Sequence, residues 1–283
     1  MDIAIILTTY NRVNVTLKCL KSIFSVDFKS YGHNMDIFLT DDNSKDKTFE
    51  FVQKYFPSVH TYKTDGNQFW GRGMLHSWEK AMQHKEYDAY IWINDDNELF
   101  ENAFKELFEC AHVSEWKSII CGCFQSKEGI FTYGGYNQRH NKIIPNGYMQ
   151  EIVYMNGNFV LIPSHVVKIV GLLDWHFHHI GGDFDYGLMA RKHGLKIYST
   201  RCYIGISERN PIGDNRGRIL GHTMMQRIND LYNCPFIENP DQKWYENRKH
   251  GKPLFKCILI YIKMHILIIL PDSIYLKLRS RNN

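Results

Sequence analysis

Tyr90-Ile91-Trp92-Ile93-Asn94-Asp95-Asp96 is an apolar run that ends in two adjacent carboxylates. The run has the length and residue types of a buried strand, and open α/β sheets bind ligands beyond the carboxyl ends of their strands. Carboxylate oxygens are ligands that Mg²⁺ and Mn²⁺ favour, often together with phosphate. The stretch therefore indicates a metal and phosphate site at the end of a central strand. The alternative is an ordinary polar turn, because Asn and Asp are common turn residues.

Two earlier segments have the same organisation. Residues 3–7 form an apolar strand that leads into Thr8-Thr9-Tyr10-Asn11-Arg12. Residues 35–39 form another strand, which ends in Asp41-Asp42-Asn43-Ser44. A carboxylate at such a position can accept hydrogen bonds from a base N–H or a ribose hydroxyl. These segments predict a nucleotide pocket beside the carboxylate pair.

Strand patterns alternate with amphipathic helix patterns over the first half of the chain. This alternation is typical of right-handed βαβ units that build a parallel sheet. Strands are predicted at residues 3–7, 35–39, 58–62, 87–93 and 118–124, and helices at 13–25, 47–55, 71–84 and 101–112.

The following segment predicts less regular structure. Residues 131–136 and 142–144 flank a polar turn and predict a hairpin, and strand character returns at 151–162. Proline at a helix start and glycine after its end predict two helices, one opened by Pro163 and closed by Gly171 and one at 183–193 closed by Gly194. Three glycines, a proline and several charges predict a mobile loop at 207–221.

Four motifs in order carry a resemblance to a known family. They are Thr8-Thr9-Tyr10-Asn11-Arg12, Asp41-Asp42-Asn43-Ser44, Asn94-Asp95-Asp96, and Gly182-Asp183-Phe184-Asp185 with Arg191. Together they resemble the signature of the family 2 glycosyltransferases with the GT-A fold, over roughly residues 1–205. Residues 66–74 also resemble a glycine-rich stretch of bacterial rhamnosyltransferase-like enzymes that build surface polysaccharides.

The resemblance implies an α/β protein of the GT-A fold, with a Rossmann-like, mostly parallel central sheet flanked by helices and a helical C-terminal appendage. The expected catalytic domain is 1–221, with a nucleotide-binding half at 1–112 and an acceptor half at 113–221. The expected helical C-terminal region is 222–283.

The resemblance also implies roles for individual residues. Asp96 is expected to coordinate a divalent metal, Mn²⁺ or Mg²⁺, with Asp95 beside it, although Asn94 replaces the usual first aspartate. Asp183 matches the catalytic base, although Gly182 replaces the usual preceding glutamate. The alternative for Asp183 is a helix cap, which aspartate often provides.

Further residues are expected around the donor. Asp41 or Asp42 should contact the base and ribose, while Thr9, Tyr10 and Arg12 should line the nucleotide pocket. Arg72 lies between glycines and can reach the diphosphate, or it is a solvated loop arginine. A histidine metal ligand is expected after the strand at 197–204; none follows directly, which leaves His222 and His250 as candidates.

Composition limits the possible partners and the compartment. A net charge of +4 and a pI near 8.5, without a basic stripe, argue against nucleic acid. Seven scattered cysteines indicate reduced thiols. The short N-terminal apolar run lacks a basic region before it, so it predicts a strand and no signal peptide. The expected location is the cytoplasm.

The C-terminal segment 254–270 is apolar except for Lys256, Lys263 and His265. It falls short of the roughly 20 apolar residues of a spanning helix. With Lys277, Arg279 and Arg281 after it, it predicts a helix lying on the anionic inner face of the cell membrane. The alternative is a helix that packs on the domain or on a second subunit of a homodimer.

These features predict an inverting, metal-dependent glycosyltransferase, a hexosyl- or rhamnosyltransferase, of bacterial polysaccharide synthesis. The expected donor is a UDP- or dTDP-linked sugar, and the expected acceptor is lipid-linked or an oligosaccharide. A sugar-1-phosphate nucleotidyltransferase is the rival enzyme, but residues 8–12 lack its glycine-rich first loop. A carbohydrate-binding pseudoenzyme is the rival without catalysis.

Overall fold

The structure of the protein is a computed structural model that describes residues 1–209 and 218–279. Residues 210–217 of the predicted loop at 207–221 lie outside the described residues, and so does Arg281. The chain divides into two units, Met1–Arg209 and Asn210–Asn283.

The first unit alternates strands and helices. The strands are β1 (Asp2–Thr9), β2 (Asn34–Asp41), β3 (His60–Lys63), β4 (Ala89–Ile93), β5 (Glu98–Leu99), β6 (Ile119–Gln125), β7 (Gly135–Tyr136), β8 (Tyr154–Met155), β9 (Phe159–Pro163) and β10 (Ile197–Ile206). The helices are α1 (Val13–Phe24), α2 (Thr48–Tyr55), α3 (Phe69–His84), α4 (Ala103–Val113), α5 (Ser164–Val170) and α6 (Gly182–Lys192), with a 3₁₀ turn at Phe28–Tyr31.

Within residues 1–209, eight strands form one sheet in the order β3-β2-β1-β4-β9-β6-β10-β5. β1 is parallel to β2 and β4, and β6 is parallel to β10. β9 is antiparallel to both of its neighbours, β4 and β6, and β5 is antiparallel to β10. The predicted α/β class and mostly parallel sheet are confirmed, and the antiparallel strand in the middle is an addition to the prediction.

The sheet separates two apolar clusters, and β1 shows how. Ile3, Ile5 and Leu7 belong to the cluster that contains residues of α1 and α4. Ala4 and Ile6 belong to the cluster that contains residues of α3, α5 and α6. Successive side chains of a strand point to opposite faces, so a strand covered by helices on both faces is apolar throughout. This is why the run at residues 3–7 carries no alternation.

The predicted hairpin forms in part. The turn is present, since Asn137 N–H donates to the Asn141 carbonyl at 2.9 Å and Tyr136 pairs with Lys142 in a single antiparallel bridge. The strand partner of β7, however, is β8. Residues 151–162, predicted as one strand, therefore divide between β8 and β9, which pair in different sheets.

The second unit is helical in the part that the structure describes. Its helices are α7 (Met224–Asn233), α8 (Pro240–Lys249), α9 (Leu254–Ile269) and α10 (Asp272–Arg279). Buried Arg218 donates to the carbonyls of Leu267 and Leu270 at 2.8 and 2.7 Å, so it satisfies acceptors that the end of α9 leaves unpaired. None of the helices in residues 1–209 and 218–279 is both long and apolar enough to span a membrane.

Candidate active site

The first two motifs meet where β1 and β2 end. The parallel register places Thr9 opposite Asp41, and Asp42 N–H donates to the Thr9 carbonyl at 2.9 Å. Asn11 N–H then donates to the Ser44 hydroxyl at 2.8 Å. Because β4 is the other parallel neighbour of β1, its carboxyl end lies at the same edge. Three of the four motifs therefore share one edge of the sheet.

Asp95 is the buried centre of this edge. Its side chain is 4% exposed, and one oxygen accepts from Arg12 Nη1 at 3.0 Å while the other accepts from the Thr16 hydroxyl at 2.8 Å. Thr16 in turn bonds Thr9 at 2.7 Å. Burial raises the pKa of Asp95, and the charge of Arg12 opposes that rise. Both oxygens of Asp95 therefore accept hydrogen bonds from side chains of the protein itself.

Asp96 faces outward. Its side chain is 45% exposed, and one oxygen accepts from the same Nη1 atom of Arg12 at 2.9 Å. Among the described residues, no group of three or more His, Cys, Asp or Glu side chains could hold a metal ion. Mg²⁺ commonly takes only one or two carboxylates from a protein and completes its shell with substrate phosphate and water. The pair Asp95–Asp96 fits such a cation, with Asp96 as the accessible ligand.

Asn94 has a structural partner. Its side-chain oxygen accepts from the indole N–H of Trp70 at 2.7 Å. The Trp70 ring packs against the core cluster on the α3 side and meets Trp92 edge to face, with ring centroids 6.1 Å apart. Asn94, which replaces the usual first aspartate of the motif, therefore connects the end of β4 to the start of α3.

Asp183 lies near the same strand end, because it bonds the backbone of Gly157. One Asp183 oxygen accepts from Gly157 N–H at 2.9 Å, and the other accepts from Phe184 N–H at 2.9 Å. Asn158, the next residue along, accepts from Asn94 N–H at 2.9 Å. A Cβ on Gly157 would lie 2.5 Å from the Trp70 ring, so only glycine fits there. The four motifs therefore converge.

The first turn of α6 contains Asp183, while Gly181 occupies the N-cap position. The positive end of the helix dipole stabilises a carboxylate there. Arg191, at the other end of α6, donates to Glu151 and to the Ile152 carbonyl at 2.8 and 3.1 Å. Arg191 therefore anchors the C-terminal end of α6 to Glu151 and Ile152.

Asp41 and Asp42 differ in their surroundings. Asp42 accepts from the Thr64 hydroxyl at 2.8 Å and from three backbone N–H groups, those of Gly66, Gln68 and Phe69, at 2.8 to 3.1 Å. Asp41 accepts from Ser44 N–H at 2.6 Å, and its other oxygen is buried with no hydrogen-bond partner among the described residues. Burial raises the pKa of Asp41.

Tyr10 and Arg72, two further candidate residues, are both at least partly exposed to solvent. Tyr10 is 52% exposed. Arg72 lies in the first turn of α3, where its Nε donates to the Trp175 carbonyl at 3.0 Å and its guanidinium stacks on the Trp175 ring at 4.0 Å. Arg72 is therefore not a freely solvated loop arginine. Trp175 remains 53% exposed and offers an aromatic surface.

Sequence reasoning did not find several residues that build this site. They belong to no motif, and each contacts a motif residue that is distant in sequence; they are Thr16, Gly157, Asn158 and Trp175. Thr16 alone carried a signal, since it is a polar residue on the otherwise apolar buried face of α1.

The two candidate histidine ligands lie in the second unit. His222 Nδ1 bonds Asp230 at 2.6 Å, and His250 follows the last residue of α8. Their expected role as metal ligands stays a prediction.

Comparison with known proteins decides the family. The sequence profile described as Glycosyl transferase family 2 matches residues 4–169, more than half of the chain. The chain belongs to glycosyl transferase family 2. This confirms the family and the class of enzyme that the four motifs predict.

A curated relative in this family is similar over part of the chain. It is the GalNAc(5)-diNAcBac-PP-undecaprenol beta-1,3-glucosyltransferase of Campylobacter jejuni, 28% identical over 127 residues. The match covers 45% of this chain and 40% of that protein, so it spans less than half of each.

Solved structures resemble this family 2 chain in fold. The 1–349 fragment of TarS from S. aureus has a TM-score of 0.56 at 13% identity, over 95% of this chain and 81% of that chain. The mannosyltransferase PcManGT from Pyrobaculum calidifontis, solved with GDP-Man and Mn²⁺, has a TM-score of 0.56 at 11% identity, over 98% and 84%. A TarS structure with UDP-GlcNAc gives 0.55 at 13% identity, over 89% and 72%. These likenesses confirm the predicted GT-A fold.

The contacts of Asp42 predict a structural role that can be measured. Phe69 adopts φ 52°, a left-handed conformation that is costly for a bulky residue, and the Asp42 carboxylate holds its N–H. Asp42→Ala should lower the free energy of unfolding by about 2–4 kcal/mol, because three partly buried backbone N–H groups and the Thr64 hydroxyl lose their acceptor. Urea unfolding followed by fluorescence measures this change, and hydrogen exchange should accelerate in residues 64–70.

Asp65→Ala is the matched control. Asp65 accepts from Asn67 N–H and Gln68 Nε2 of the same loop but is exposed, so its loss should change stability much less. Equal stability of the Asp42→Ala variant and the natural protein would contradict the structural role.

Proposed function

We propose that this protein transfers a sugar from a UDP- or dTDP-linked donor to a lipid-linked or oligosaccharide acceptor, with inversion at the anomeric carbon. The observation that carries the proposal is the placement of Asp183 beside the segment that ends β4. Asp183 holds Gly157, Asn158 holds Asn94, and Asp95 and Asp96 follow directly. A candidate base and a candidate cation-binding pair of carboxylates thus share one strand end.

The reaction proposed is a direct displacement. Asp183 takes the proton of the acceptor hydroxyl while that oxygen bonds to the anomeric carbon, and the bond from this carbon to the diphosphate oxygen breaks. The nucleoside diphosphate leaves with the bonding electrons. A divalent cation held by Asp96 would neutralise the leaving diphosphate. Gly157 N–H fixes one oxygen of Asp183, so the base is oriented before the acceptor binds.

The relatives support the substrate class without identifying it. The Campylobacter jejuni protein is named for an undecaprenol diphosphate-linked acceptor and a glucosyl donor, which favours a lipid-linked acceptor and a hexosyl group here. The TarS complex contains UDP-GlcNAc and the PcManGT complex contains GDP-Man, which favours a nucleotide-sugar donor. Family membership favours glycosyl transfer over nucleotidyl transfer, and catalysis by the purified protein would exclude the pseudoenzyme.

A panel of nucleotide sugars tests the proposed activity. We expect hydrolysis of one UDP- or dTDP-linked sugar in Mn²⁺ or Mg²⁺, and loss of this activity in EDTA or in Asp96→Ala, because a diphosphate without a counter-ion is a poor leaving group. Release of the nucleoside diphosphate is the measurement. Full activity in EDTA would refute the metal dependence, and no activity with any donor would favour the pseudoenzyme.

Asp183→Asn tests the base. The amide keeps the size of the side chain, and its one oxygen can accept from Gly157 N–H or from Phe184 N–H, but it cannot accept the proton. Donor binding should stay nearly unchanged while kcat falls by at least about 10²-fold. Steady-state kinetics and calorimetry separate the two quantities. An unchanged kcat would leave Asp183 with the structural role that its bonds to Gly157 and Phe184 already give it.

We further propose that α9 lies on an anionic membrane surface. Seven apolar side chains along the helix are exposed, whereas Cys257 and Ile268 are buried, and Lys256 and Lys263 are exposed as well. Exposed apolar residues beside lysines suit the boundary between headgroups and acyl chains. The exposed apolar residues are Leu254, Phe255, Ile258, Leu259, Ile262, Ile266 and Ile269.

Vesicle flotation tests this surface with point substitutions that leave the buried residues of α9 intact. Leu259→Gln with Ile262→Gln should weaken binding to vesicles containing phosphatidylglycerol by about tenfold or more, since each buried aliphatic side chain contributes about 1.5–3 kcal/mol. High salt should weaken the binding of the natural protein as well.

Val113→Gln with Ile130→Gln, exposed apolar positions of the first unit, is the control and should float like the natural protein. If the natural protein does not float, the membrane proposal fails. A soluble dimer that dissociates in the α9 variant would support the packing alternative in its place.

A further inference from the structure

One guanidinium nitrogen of Arg12 bonds both carboxylates of the motif. Nη1 lies 3.0 Å from an Asp95 oxygen and 2.9 Å from an Asp96 oxygen. A positive group in contact with two adjacent carboxylates takes the position that a cation shared by them would need. Arg12 is therefore the counter-ion of this pair in the structure.

The side-chain oxygen of Asn94 and the second oxygen of Asp95 already accept hydrogen bonds. The second Asp95 oxygen accepts from Thr16 and is buried, and the Asn94 oxygen accepts from Trp70. Only Asp96 has a side chain exposed by almost half, at 45%. A divalent cation that binds both carboxylates must therefore take the Asp95 oxygen to which Arg12 now donates, whereas Asp96 has a second oxygen to offer.

Repulsion strengthens this conflict. A divalent cation and a guanidinium that share the same carboxylates lie within a few ångströms of each other, where like charges at a partly buried site repel strongly. The Arg12 side chain is 44% exposed, so it has room to move outward. It extends from the N-cap of α1, at the edge where the nucleotide is expected, and a departing guanidinium is suited to pair with diphosphate oxygens.

We propose that Arg12 is a resident counter-ion of Asp95 and Asp96, which must be displaced before a divalent cation can bind both carboxylates. This inference rests on the metal site of the proposed function. It makes metal binding to the donor-free protein weak, because the ion must compete with a group that is already in place.

Mn²⁺ binding to the full-length protein without any nucleotide tests the competition. Electron paramagnetic resonance of free Mn²⁺ gives the affinity. Arg12→Ala should bind Mn²⁺ at least about fivefold more tightly than the natural protein, within the range usual for coupled sites. Arg12→Lys keeps the positive charge and should stay close to the natural protein.

Lys21→Ala is the matched control, because it removes one positive charge from the exposed surface of the same helix. Its Mn²⁺ affinity should not change. Adding Asp96→Ala to Arg12→Ala should abolish the gain, which would locate the bound ion at this pair. Arg12→Gln, a neutral group that still donates hydrogen bonds, provides the same test if Arg12→Ala folds poorly. Mn²⁺ should also raise the Tm of either neutral variant more than that of the natural protein.

Equal Mn²⁺ affinities of the natural protein and both neutral variants, including no binding by any of them, would overturn the competition. A gain of the same size in Lys21→Ala would also overturn it, since the effect would then be one of net charge. Neither result depends on turnover. Failure of the proposed function is recognised separately, by the absence of donor hydrolysis.

Discussion

The buried carboxylate of Asp95, just beyond the end of β4, constrains the part of the molecule where the nucleotide sugar is expected to bind. Asp95 is 4% exposed, and its two oxygens accept from Arg12, at the N-cap of α1, and from Thr16, within α1. An unpaired charge at such depth would cost several kcal/mol, so the segment that supplies the partners cannot move independently of β4. The first and third motifs are therefore fixed relative to each other before any ligand binds.

The rest of the site extends this constraint through backbone donors. Asp42 collects the N–H groups of residues 66, 68 and 69, and Asp183 holds that of Gly157. Gly71 N–H donates to the His178 carbonyl at 2.6 Å, and a Cβ on Gly71 would lie 2.2 Å from the Phe177 oxygen. Loops held in this way keep the candidate site residues in place, while Asp96 and Tyr10 stay exposed.

The two units offer different chemistry to the proposed reaction. The first unit carries polar groups that suit a nucleotide diphosphate, whereas α9 of the second exposes aliphatic side chains and lysines. An acceptor attached to a lipid has its reactive sugar in water and its chain in the bilayer. A protein that acts on such an acceptor benefits from a surface that holds it at the membrane.

The sequence determined the main strands and helices of residues 1–124, though not the short β5, together with the α/β class and the order of the four motifs, because hydrophobic periodicity and strand-end chemistry are local properties. It did not determine that β9 enters the sheet between β4 and β6, since a short apolar strand can pair in either direction. Nor did it determine which side chains or backbone groups each motif carboxylate bonds. Arg12 lies 83 residues before Asp95, and only the packing of β1 against β4 brings its guanidinium to both acids. Those contacts join distant parts of the chain, so their partners follow from the tertiary structure and not from spacing.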